Sequence, residues 1–85
     1  MSDEKEPILY RTSDIYFASY LCAIDVVLQT TERQQSDNHT KVIFVFKVAR
    51  PDLDRMRAAF FGGHATVKVQ RYVEALRNLK QMCYV

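Results

Sequence analysis

The sequence predicts an α+β domain, a small antiparallel sheet with helices packed on one face, in the order (β)-α-β-β-α-α. Three observations carry this expectation. Residues 40–48 alternate as a strand does, with Val42, Phe44, Phe46 and Val48 to one side and Lys41, Ile43, Val45 and Lys47 to the other. Toward the end, Val69, Tyr72, Val73, Leu76, Leu79 and Cys83 recur at helical spacing, against a polar face of Gln70, Arg71, Glu74, Arg77, Asn78 and Gln81. Between the two, Pro51 and the pair Gly62-Gly63 bracket a third periodic segment in the places where helices begin and end.

Taken in order, residues 1–7 carry Asp3, Glu4, Lys5 and Glu6 without an apolar core and read as a disordered, solvated arm, not a secretory signal. The single domain then spans residues 8–85. Ile8-Leu9-Tyr10-Arg11-Thr12 leans toward an edge strand. Thr12 or Ser13 fits a helix cap, and Asp14 complements the positive end of the helix that follows, over about residues 14–25. That helix is apolar nearly all round, with Ser19 as its one polar interior residue, so it should be buried on more than one side. Val26 to Arg33 turns β-rich, and the polar run Gln34 to His39 is expected to close a hairpin onto the strand at 40–48. After Pro51, Leu53, Met56 and Phe60 form a buried stripe, and Gly62-Gly63 stops the helix. The closing helix runs from about residue 67 or 68 to Cys83.

Composition narrows the function classes without choosing one. Eighty-five residues support one core, and 48% hydrophobic with 26% charged residues excludes a disordered chain and a disulfide knot. Net charge is +2; with the arm set aside, eleven bases against seven acids leave +4 on residues 8–85. No apolar run approaches the roughly twenty residues of a membrane span. Cys22 and Cys83 fall on apolar faces and read as reduced core thiols of a cytoplasmic protein.

Three short runs resemble a known family. They are Tyr10-Arg11-Thr12-Ser13-Asp14, Val42-Ile43-Phe44-Val45-Phe46, and Arg71-Tyr72-Val73-Glu74-Ala75-Leu76-Arg77-Asn78-Leu79-Lys80. Together they are similar to a family of small bacterial and phage-borne domains of unknown function, over about residues 8–85. The resemblance implies a phage-associated accessory or host-interaction role, and it brings no catalytic residue.

The constellations that could carry chemistry read as structure. Cys22, His39, His64 and Cys83 lack any metal-ligand spacing, so no metal and no cofactor is expected. Both thiols are on packed faces and neither Ser13 nor Ser19 has a base nearby, so no catalytic residue is assigned and an enzyme is not expected. Asp52 and Asp54 suit a helix start better than a shared proton. Gly62-Gly63-His64 lacks the phosphate-loop pattern, though His64 at a tip is a candidate contact for a small anionic ligand. Arg57, Lys68, Arg71 and Arg77 make the C-terminal half basic and are candidates for nucleic-acid contact, the less favoured reading, because acids dilute them and no exposed aromatics join them.

The positive expectation concerns association. A domain this small buries only about 60% of its chain surface. It offers little room to cover both an all-round apolar helix and the Ile43/Val45 face of the central strand, so one of them is expected to meet a second copy; the alternative is that the last two helices wrap both. Tyr16, Phe17, Tyr20, Ile43 and Val45 are therefore expected at an interface with a second copy, a homodimer, or with a protein partner. The sequence thus predicts a non-enzymatic interaction module.

Overall fold

The computed structural model describes residues 6–36 and 39–83. The elements are β1 (Pro7–Thr12), α1 (Ile15–Ala23), β2 (Val27–Ser36), β3 (His39–Ala49), α2 (Arg50–Phe61) and α3 (Val69–Cys83), so the expected order holds. The sheet is antiparallel with β3 between β1 and β2. Pro7 already pairs with Ala49, so β1 begins inside the expected arm, whose residues 1–5 lie outside the described residues.

Alternation decides which face of the sheet is covered. Phe44, Phe46 and Val48 join Phe17, Leu21, Leu53 and Leu79 in one core, with Ile8, Tyr10 and Leu28 packed at its margin. All three helices contribute to that core, so the opposite face of the sheet carries no helix. Phe17 is its hub: its ring lies 5.3 Å from those of Phe60 and Phe61 and 6.0 Å from Tyr10, in edge-on and tilted geometries that aromatic quadrupoles favour. Ser19, fully buried, satisfies its hydroxyl by donating to the Ile15 carbonyl at 2.7 Å.

Four local details differ from expectation. Asp14, not Thr12 or Ser13, caps α1: its carboxylate accepts from the amides of Tyr16 (3.0 Å) and Phe17 (3.2 Å), while the Thr12 hydroxyl accepts from the Asp14 amide. A carboxylate there also complements the helix dipole, which a hydroxyl does not. Gln34, Gln35, Ser36 and His39 extend the hairpin strands instead of forming a loop, because Ser36 pairs with His39 and the closure falls on residues 37–38, outside the described residues. A polar segment can stay in a ladder when both its faces are wet. Gln29 is a bulge, so Leu28 and Thr31 both stand opposite core residues while Thr30 faces Val45 on the other side. Finally, α1 ends as α2 does, with a residue at positive φ: Asp25 (φ 70) in one and Gly63 (φ 81) in the other. The amide of Val26 returns to the Leu21 carbonyl, and that of His64 to Ala59, in the same six-residue closure. Both ends fall near the expected positions, Gly62-Gly63 and about Asp25, but only the glycines announce the positive φ by residue type.

Candidate functional site

The residues expected at an interface behave differently from one another. Phe17 (0% exposed), Tyr20 (6%), Ile43 (9%) and Val45 (2%) are covered within the chain, and Tyr16 alone is open, at 55%. Phe17 and Tyr20 belong to the core described above. Ile43 and Val45 lie on the helix-free face of the sheet, where another device covers them. Register places Arg11 beside Val45 and Glu32 beside Ile43 on the two flanking strands. Their side chains meet over the central strand, Arg11 Nε to Glu32 Oε1 at 3.3 Å. The stems of this pair roof the branched residues. The argument that placed these four side chains at an interface therefore does not hold, because a cross-strand ion pair and three helices already shield them.

The unpaired apolar surface is on α3 instead. The six stripe residues read as one buried face, but of them the core takes only Tyr72, Leu79 and Cys83, joined by buried Ala75. Val69 (77% exposed) and Val73 (44%) face outward with half-buried Leu76. At 100° per residue, the apolar arc from Ala75 round to Val73 spans about 160°, against the roughly 100° one packed face needs. Two stripes share one helix. Ala75, standing opposite Val73 on the far edge of the arc, was the signal in the sequence that the inward face lies elsewhere.

A shallow groove of about 380 Å³ runs along the outward stripe, lined by Val73, Leu76, Arg77, Lys80 and Gln81. At its N-terminal end the Tyr72 hydroxyl donates to the Tyr16 carbonyl at 3.3 Å, tying exposed Tyr16 to the turn that carries Val69 and Val73. Burial raises the Tyr72 phenol pKa, helped by the nearby charges of Asp14 and Tyr16. The other face of α3 meets the edge of the sheet in a cleft of about 280 Å³, lined by Cys22, Leu28, Glu74, Asn78 and Met82 among others. Burial pushes the Cys22 thiol pKa up, which makes it a poor nucleophile. Both cysteines are free.

The basic candidates do not converge. Arg57, His64, Lys68, Arg71 and Arg77 are all exposed, but the Arg71 guanidinium is held by Asp25 at 2.6 Å across the end of α1. Arg71 and Arg77 diverge by about 120° around α3 at 100° per residue. Arg57 sits on α2, and His64 follows its terminal closure. Among the described residues, no three His, Cys, Asp or Glu side chains gather where they could hold a metal ion, and no helix is long and apolar enough to cross a membrane.

A family model described as a domain of unknown function (DUF5659) matches residues 8–85, and the chain belongs to that family. No curated protein and no solved structure matches the chain.

Proposed function

We propose that this protein is a non-enzymatic interaction module that binds a protein surface through the outward face of α3. The observation that supports the reading is the exposed stripe of Val69 and Val73, continued by Leu76 and bordered by Tyr16. Exposed side chains of this size scattered singly need no explanation; a run at helical spacing along one groove is what a binding face requires. The reading includes a cytoplasmic setting, a homodimer, and the phage-associated accessory role that the motif resemblance suggests.

The experiment is site-specific photo-crosslinking in the organism that encodes the chain. A photoreactive residue at Val73 should give adducts, to this chain or to another protein, and the same residue at Arg57 should give none. Absence of adducts at both positions would overturn the proposal.

Nucleic-acid binding by Arg57, Lys68, Arg71 and Arg77 is the alternative from a different class. The +4 charge of residues 8–85 supports it, and the engagement of Arg71 with Asp25 counts against it. Its mark is an affinity that falls steeply with added salt. A small anion at His64 has weaker support, since no other candidate cation shares its position.

A further inference from the structure

We infer that the free end of the β2–β3 hairpin is a ribbon that enters the major groove of duplex DNA, with its helix-free face toward the base edges. The inference stands apart from the α3 reading and involves none of the basic residues of α2 and α3.

Shape comes first. β1 stops at Thr12, opposite Phe44, while β2 and β3 go on pairing as far as Ser36 and His39. The sheet is three strands wide over the core and two strands wide beyond it. On β3 the core contacts end with Val42; past it Gln34, Gln35, His39, Thr40 and Lys41 are all exposed. The rows from Gln34–Lys41 to Ser36–His39 extend the ribbon by about 10 Å, at roughly 3.4 Å per residue. A two-stranded ribbon is barely stable alone, and this one is fixed at its root on both faces. Arg11 meets Glu32 at 3.3 Å on one, and Arg33 Nη2 donates to the Met82 carbonyl at 3.4 Å on the other. Further out, the Gln35 amide donates to the Thr40 hydroxyl at 3.4 Å. The extension buries no apolar side chain, so core formation does not account for it.

Chemistry then selects the partner. Register puts Gln34 beside Lys41, on the face that also carries Ile43, Val45 and Lys47. Lys41 and Lys47 are exposed and in no ion pair among the described residues. Glu32, the one acid among the described strand residues, is held by Arg11. The charge left over on this face is positive, which suits a polyanion. The ribbon has none of the apolar anchors that a protein or membrane contact needs. Its amide and ammonium, side by side, match major-groove edges instead: Gln pairs with N6 and N7 of adenine, Lys with O6 and N7 of guanine. Width agrees with this. A groove about 12 Å wide admits a two-stranded ribbon; a third strand adds about 5 Å, so the end of β1 marks the depth of entry. Lys47, about 20 Å back from Lys41 along the same face, stays outside for the phosphates.

Fluorescence anisotropy of the full chain with a labelled, mixed-sequence DNA duplex reads the proposal. Affinity should fall steeply with added salt. Lys41→Glu should weaken binding about tenfold or more, and Lys47→Ala should lower the slope of log affinity against log salt by about 0.9. Gln34→Ala should narrow the spread of affinities among duplexes of different sequence. Circular dichroism melts of these variants should match the unaltered chain, since the side chains stand in water. Arg57→Glu should leave binding unchanged. An RNA duplex, whose deep and narrow major groove side chains cannot read, should bind at least about tenfold more weakly. A chain that does not bind the DNA duplex at low salt overturns the inference. Equal affinity for the RNA duplex overturns the groove assignment. Loss of binding with Arg57→Glu but not with Lys41→Glu overturns the location and favours the basic residues of the C-terminal half.

Discussion

Replacing Phe17 by Ala removes the ring at the centre of the core, and its consequence separates a core role from an interface role. The side chain is fully buried and packs against the rings of Tyr10, Tyr20, Phe60 and Phe61. Phe-to-Ala changes in cores cost about 3–5 kcal/mol, from lost transfer energy and from the cavity left behind. Four aromatic neighbours place this site at the upper end, because edge-on and tilted ring pairs add about 0.5–1.5 kcal/mol each beyond area. A domain of this length has a total stability of about 4–13 kcal/mol, at roughly 0.05–0.15 kcal/mol per residue. Phe17→Ala should therefore leave the chain marginal or unfolded at 25 °C. Phe17→Leu, which keeps part of the volume, should lose about 1–2.5 kcal/mol and remain cooperative. Urea denaturation followed by far-ultraviolet circular dichroism measures both, at two protein concentrations in the monomeric range. The loss should be independent of concentration. A cost for Phe17→Ala below about 1 kcal/mol, or one that disappears on dilution, would refute the placement of Phe17 in a single-chain core.

Two further outcomes follow from local geometry. Gly63→Ala should cost about 1 kcal/mol in thermal or urea unfolding, from its positive φ alone, since open space surrounds the added carbon. Gly62→Ala should cost more, because its Cβ would stand 2.6 Å from the Ala58 carbonyl oxygen and the backbone must yield; equal stability for both variants would refute that ordering. The raised Cys22 thiol pKa gives stability a defined pH slope. As pH rises past the ordinary thiol value of about 8.5, the unfolded chain releases its proton first and binds fewer protons than the native state. This contribution is complete below that value and is lost as pH climbs through the native one. Cys22→Ala should show a shallower alkaline decline in urea midpoint than the unaltered chain; identical slopes would refute the assignment.

How much of this was legible depended on whether the signal was local. The strand at 40–48 could be read because period-two alternation of Val42, Phe44, Phe46 and Val48 states which face is buried, whatever it packs against. Pro51 and Gly62-Gly63 could be read because their backbone preferences belong to the residues themselves. Asp25 carries no such mark: Asp reaches positive φ only when its neighbours hold it there, here through the closure from Val26 to Leu21. The candidate site fared worse. Of its five residues Tyr16 alone is exposed, while Phe17, Tyr20, Ile43 and Val45 are covered within the chain.

By itself, then, the sequence determined the order of elements and the core-facing side of β3, because periodicity and backbone chemistry act within a few positions. Only the tertiary structure decided which apolar surface remained over. Covering is a property of neighbours distant along the chain. Arg11 and Glu32, twenty-one positions apart, meet above Ile43 and Val45, whereas nothing among the described elements reaches over Val69 and Val73. A helical stripe states that side chains share a face, and the angle at which that helix docks sets how much of the stripe water still sees.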